Sequence, residues 1–311
     1  MSALLVDDFP AEATTGTPSA DATEETATVV VTETFWHWRH GRIRVWETDS
    51  HPSGHAIVLL HGYGAMVEHW RKNIPALAAD ATVYALDLLG FGKSDMPDVH
   101  YSARLWGEQV RDFLDARRLE KVTIFGHSMG GLVAAQFAHD HPERTAGLVL
   151  VDPSGYPPRT PPDALFRILR FAAENPLLRD VSYWLFATPD IARQGLTSAY
   201  FNPEAITPDL VEAFVAPLRQ PGAKYSYLAV ARRPDDFFVK APNGIHAPTL
   251  LVWGGRDRLL PPRLLKPFRE LIPHAESVVI PDTGHCPQDE TPVAFNLAVQ
   301  RFLRMNVFEL G

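Results

Sequence analysis

Residues 123–131 read Thr123-Ile124-Phe125-Gly126-His127-Ser128-Met129-Gly130-Gly131. An apolar, strand-like run stops at a serine that has glycine two places before it and two places after. A serine hydroxyl is a poor nucleophile unless the backbone thrusts it out beside a base, and a sharp strand-to-helix turn does this only where small residues flank it. The pattern therefore predicts a strand over 121–125, a turn at Ser128 and a helix over 129–139, with Leu132, Val133 and Phe137 facing a sheet.

Outward from this point, strands and helices alternate. Ala56–Leu60, Thr82–Leu86, Ala146–Val151, Thr249–Trp253 and Ser277–Ile280 are apolar runs without strict alternation, as expected of strands covered on both faces. Residues 102–119, 262–272 and 291–302 carry helical periodicity. Val29–Trp38 and Arg42–Glu47 read as an antiparallel hairpin at the sheet edge, turning at His40-Gly41. The class is α/β with a mostly parallel sheet and helices on both faces.

The rhythm breaks between Gly155 and about Pro248. Prolines cluster at 157, 158, 161 and 162, helix-like pieces follow at 164–174, 177–186, 207–218 and 225–231, and aromatic residues are frequent. This predicts a helical cap over 156–246 that interrupts a core made of 29–155 and 247–311. Residues 1–28 are rich in Ala, Thr, Glu and Asp and have Phe9 as their one aromatic residue. Such a segment buries too little to offset its ordering cost and reads as a mobile tail.

Bulk composition narrows the function. A formal net charge of −8 argues against nucleic acid, whose phosphates reward basic surfaces. One cysteine, Cys286, permits no internal disulfide and suits a reducing compartment. The N-terminus lacks the basic start and apolar core of a secretory signal, and no run reaches membrane-spanning length, so the expected location is cytoplasmic. The scattered histidines show no metal-ligand spacing, and no metal or other cofactor is expected. Gly90-Phe91-Gly92-Lys93-Ser94 fails as a phosphate loop, because Asp87 stands where the first glycine is required.

Three side chains form the candidate catalytic set. Ser128 is the nucleophile. His285, in a loop after a strand, is the base, its ordinary pKa of about 6.5 suiting proton transfer near neutral pH. Asp257, after Thr249–Trp253, is the acid that orients the imidazole, with Asp152 as its competitor at another strand end. The backbone N–H groups of Met129 and Tyr63 are the expected oxyanion donors. His61 is expected to brace its loop. Gly62, Trp70, His127, Trp184 and Phe214 are the candidate pocket residues.

These residues resemble the α/β-hydrolase superfamily over about residues 30 to 305. His61-Gly62-Tyr63-Gly64 is similar to its oxyanion loop, Asp87 to Ser94 to its loop after the fourth strand, Gly126 to Gly130 to its nucleophile elbow, and Asp257 and His285 to its acid and base positions. The resemblance implies an eight-stranded sheet and a serine hydrolase of small-molecule esters. Haloalkane dehalogenases and epoxide hydrolases share the layout but carry aspartate as nucleophile. Carbon–carbon hydrolases of aromatic ring cleavage read Gly-Asn-Ser-Met-Gly-Gly with tryptophan after the histidine, where this chain has His127 and Cys286. A thioesterase, a perhydrolase and a non-enzymatic receptor share the same elements. A monomer is the default expectation, a lid-mediated dimer the alternative.

Overall fold

The computed structural model describes residues 2–5, 29–155, 170–239 and 244–308. Nine strands form one sheet in the order β1-β2-β3-β5-β4-β6-β7-β8-β9. They are β1 (Ser2–Leu5), β2 (Val30–Trp38), β3 (Gly41–Thr48), β4 (Ala56–Leu60), β5 (Thr82–Leu86), β6 (Val122–His127), β7 (Thr145–Val151), β8 (Thr249–Gly254) and β9 (Glu276–Ile280). From β5 onward all pairings are parallel, whereas β1, β2 and β3 add antiparallel strands at one edge. β2 to β9 supply the eight strands expected. The ninth corrects the expectation of a wholly mobile tail: Ser2–Leu5 pairs with Val30–Glu33, satisfying the outer edge of β2. The rest of the tail lies outside the described residues.

The continuous apolar strands divide their side chains between two cores. On β4, Val58 and Leu60 enter one core while Ile57 and Leu59 enter the other. The first core is closed by α2 (Ala103–Ala116) and α3 (Met129–Asp140), through Trp106, Phe113, Leu132 and Phe137. The second is closed by α1 (Ile74–Ala78) and the helix Pro292–Leu303, through Leu77, Phe295, Val299 and Phe302. Ser102 caps α2 by accepting the Leu105 N–H.

Between β7 and β8 the described residues are helical. The helices Pro176–Phe186, Pro208–Val215, Ala223–Tyr227 and Ala229–Arg232 fall where sequence periodicity places them. The helix Pro189–Ala199 was not anticipated. Of the expected helix at 164–174, residues 170–174 are helical and the remainder lies outside the described residues, as do the clustered prolines.

A buried ionic cluster ties the edge hairpin to the loops at the C-terminal ends of the parallel strands. The guanidinium of Arg44 on β3, 1% exposed, donates to Glu33 (2.7 Å), Glu68 (2.6 and 2.9 Å) and Asp87 (3.4 Å). Asp87, fully buried, also accepts the N–H groups of Val67 (2.7 Å) and Lys93 (2.8 Å). The Gly90–Ser94 stretch is thus a turn packed around a carboxylate. Replacing Arg44 by leucine strands these carboxylates in the fold. It should cost about 3–5 kcal/mol of unfolding free energy, read as a lower urea midpoint at unchanged slope. A loss under about 1 kcal/mol would mean that water replaces the guanidinium.

Candidate active site

Ser128 adopts φ 52° and ψ −115° between β6 and α3. A non-glycine residue there costs on the order of 1–3 kcal/mol and persists only where its surroundings over-determine it. They do so here. The Ser128 N–H donates to Val151 O (2.9 Å), and its carbonyl accepts from the N–H groups of Gly131 (2.9 Å), Ser154 (3.0 Å) and Leu132 (3.2 Å). The flanking glycines are dictated by close approach. A Cβ on Gly126 would overlap the Gly130 carbonyl, and one on Gly130 would overlap the Leu60 and His61 carbonyls.

His285 and Asp257 meet from separate loops. His285 Nδ1 lies 2.6 Å from Asp257 Oδ2. Asp257 Oδ1 accepts the N–H groups of Leu259 (2.8 Å) and Leu260 (2.9 Å), which fix the carboxylate plane. Because a carboxylate only accepts, Nδ1 carries the hydrogen and Nε2 is the basic nitrogen. Asp152, fully buried, has one oxygen accepting the Gly254 N–H (2.9 Å), and its carboxyl lies within 4.8 Å of Asp257 and His285 donor atoms. Burial, then the adjacent Asp257 charge, push its pKa well above the usual carboxylate range. Of the two carboxyls, Asp257 is the one in hydrogen-bond contact with the imidazole.

Ser128 and His285 line one cavity of about 500 Å³. The Ser128 hydroxyl forms no hydrogen bond among the described residues. The loop after β4 passes beside it: a Cβ on Gly62 would come within 3.2 Å of Ser128 Cβ. The N–H groups of Tyr63 and Met129 donate to no protein acceptor among the described residues. The Tyr63 hydroxyl donates to the carbonyl of Tyr227, joining that loop to the helical insertion. His61 braces the same loop, with Nδ1–H on Gly62 O (2.7 Å) and Nε2 accepting the Leu88 N–H (3.0 Å).

The cavity wall is mostly apolar: Ala187, Ile191, Leu196, Phe214, Leu218 and Leu259 are on it. Gly62, His127 and Phe214 line this cavity. Two pocket expectations are corrected. Trp70 is fully buried in the second core against Phe125 and Phe295, because the Val67–Trp70 turn points it beneath the sheet. Trp184 is 58% exposed and off the wall. Sequence reasoning missed His69 and Tyr200, which line the cavity. The Tyr200 hydroxyl donates to Asp289 (2.7 Å) and lies 3.2 Å from His69 Nε2. It also missed the small residues Ala192, Gly195 and Ala199 of the helix Pro189–Ala199.

The other histidines near the site are held neutral. Burial, as the largest cause, lowers His61 and His69 to about 4 and places His127 well below its ordinary value. His127 Nε2 donates to the His285 carbonyl at 2.7 Å.

Comparison with known proteins agrees with this fold. Residues 55–292 match the family model described as the alpha/beta hydrolase fold. An uncharacterized protein of Mycobacterium tuberculosis is 30% identical over 262 residues, covering 81% of this chain and 76% of that protein. The 2-hydroxy-6-oxononadienedioate/2-hydroxy-6-oxononatrienedioate hydrolase of Paraburkholderia xenovorans is 30% identical over 278 residues, covering 85% and 91%. A thermophilic esterase from Thermogutta terrifontis superposes with a TM-score of 0.71 at 25% identity, over 89% of this chain and 99% of that one.

The neutrality of His61 has a measurable consequence. The unfolded chain protonates this ring below about pH 6.5 while the folded chain resists until about 4, so its contribution to stability is lost as pH falls through that window. The stability gap between wild type and His61→Gln should narrow by up to about 3 kcal/mol from the top of the window to the bottom. Denaturant titrations at several pH values measure it, and a gap independent of pH would contradict the assignment. The chain, with its elbow, strand-end loops and family match, belongs to the alpha/beta hydrolase family.

Proposed function

We propose that this protein is a carboxylic ester hydrolase with Ser128 as nucleophile, His285 as general base and acid, and Asp257 as the orienting carboxylate. The carrying observation is the serine on a strained elbow sharing an apolar cavity with an imidazole whose Nδ1–H is fixed on Asp257. As an ester binds, His285 Nε2 takes the Ser128 proton while Oγ attacks the carbonyl carbon. The N–H groups of Met129 and Tyr63 receive the oxyanion. The imidazolium, opposed by Asp257, then protonates the departing alcohol and leaves an acyl-serine. Water, deprotonated by His285, attacks the acyl carbon, and the tetrahedral intermediate collapses to the acid and free Ser128. Catalytic hydrogen bonds that are open without substrate commonly tighten in the Michaelis complex, which is the step required of Ser128 and His285.

The helical insertion acts in this reading as a cap that supplies the apolar wall, so the substrates are esters with apolar acyl or alcohol parts. The relative from Paraburkholderia xenovorans is named for dioate substrates, which favours a carbon–carbon hydrolase as the second reading. Among the described residues, however, no arginine or lysine lines the cavity, and a dianion would be left without a counter-charge there. A single buried cysteine suits a cytoplasmic setting, and no helix among the described residues is long and apolar enough to cross a membrane.

Ser128→Ala should lower kcat on p-nitrophenyl esters by at least about 10³-fold and abolish labelling by a fluorophosphonate, with the melting temperature little changed. Asp257→Asn should lower kcat by about 10⁴-fold. Retained turnover in Ser128→Ala overturns the assignment. Faster turnover of a ring-cleavage dioate than of any apolar ester would transfer the function to the second reading.

A further inference from the structure

The loop that carries His285 touches the cap more closely than the mechanism above requires. The His285 N–H donates to the carbonyl of Ala199, the last residue of the helix Pro189–Ala199, at 2.6 Å. The following residues of the cap return the contact. The N–H groups of Phe201 (2.7 Å) and Asn202 (3.3 Å) donate to Glu290 Oε2. On its other side, Glu290 Oε1 accepts the Cys286 N–H (3.4 Å). A Cβ on Gly284 would come within 2.6 Å of both Glu290 Oε1 and the Phe201 nitrogen. The interface therefore has no slack.

We propose that Glu290 is a positioning residue for the base: its carboxylate binds the cap segment 199–202 to the loop 284–286, so that His285 is set in place by a docked cap. The proposal rests on His285 being the base of the reaction. Its physical content is that one side chain gathers N–H groups from both sides of the cap boundary. Without it those donors lose their partner, and the backbone of His285 keeps one cap contact, through Ala199. The imidazole must meet the serine proton within narrow limits, and a displacement of about 1 Å can cost on the order of a hundredfold in rate. Glu290 does not line the cavity, so it acts on rate through His285 and not through substrate affinity.

Glu290→Ala should lower kcat on a short p-nitrophenyl ester by about 10–100-fold with KM changed less than about threefold, while the melting temperature stays near that of wild type. Glu290→Gln, whose amide keeps one acceptor oxygen, should recover part of the loss. If both variants stay within twofold of wild type in kcat, the positioning role is wrong. Should Glu290→Ala not fold, Phe201→Pro against Phe201→Ala decides: both remove the ring, and only proline removes the N–H that Glu290 accepts. Tyr200, with φ −88° and ψ 135°, is already extended as a residue before proline must be. A lower kcat in the proline variant supports the proposal, and equal values overturn it. A fully active Ser128→Ala would instead remove the reading on which the proposal rests. A dead Ser128→Ala beside an active Glu290→Ala would remove the positioning role alone.

Discussion

The site depends on one backbone constraint, the positive φ of Ser128. That conformation is unfavourable for a residue with a Cβ, and it is held by the hydrogen bonds that fasten its N–H to β7 and its carbonyl to the first turn of α3 and to Ser154. Those partners belong to the central sheet, to the helix packed on it and, through Ser154, to the loop that leaves β7. The proposed nucleophile is therefore placed mainly by the most deeply buried part of the fold. The glycines around it are a consequence, because the turn is so tight that neighbouring backbone occupies the space a Cβ would need. Both oxyanion donors proposed above inherit their positions from the same constraint. Met129 is the first residue of the helix that Ser128 starts, and Tyr63 lies in a loop pressed against Ser128 through Gly62.

The loops are then locked to one another by charge and hydrogen bonding. Arg44 gathers carboxylates from β2, the Val67–Trp70 turn and the end of β5. Asp87 passes that restraint to the Gly90–Ser94 turn, and His61 joins the oxyanion loop to Leu88. A buried ion cluster is a weak source of net stability. What it supplies here is register, because its polar partners can be satisfied together in one arrangement of hairpin and loops. This is the link from an edge hairpin, remote from the chemistry, to the loop beside the reacting carbonyl.

The parts legible in the sequence were those governed by local backbone chemistry or by strand-end position. Gly126, Ser128 and Gly130, set between an apolar strand-like run and an apolar helix, announce a tight turn. Asp257 and His285 follow apolar runs that read as strands, the first buried as β8 and the second a half-exposed edge strand, β9. Trp70 and Trp184 misled because size and aromaticity do not encode direction. A short 3₁₀ turn sends Trp70 beneath the sheet, and Trp184 sits on the outer side of its helix. The helix Pro189–Ala199 was hidden by its low apolar content and by Gly195. Its start was nonetheless written in Thr188-Pro189-Asp190, a capping threonine, whose hydroxyl accepts the Ile191 N–H at 3.3 Å, followed by proline at the first helical position. Small residues such as Ala192 and Ala199 form the wall because they leave room, a property visible only once the cavity exists. Glu290 gave no signal, since its partners are backbone groups and those across the boundary, Phe201 and Asn202, are distant in sequence.

The placement of charge gives the cavity its chemical character. Imidazoles near His285 would compete for the serine proton if their basicity were ordinary. Burial lowers His61, His69 and His127, so they stay neutral beside the proposed base. Asp152 lies beside Asp257, and burial together with that neighbouring charge pushes its pKa well above the usual carboxylate range. With Asp257 behind the ring and an apolar wall in front, the charges that separate in the proposed transition state arise in a site of low polarity, which is where fixed N–H dipoles act most strongly.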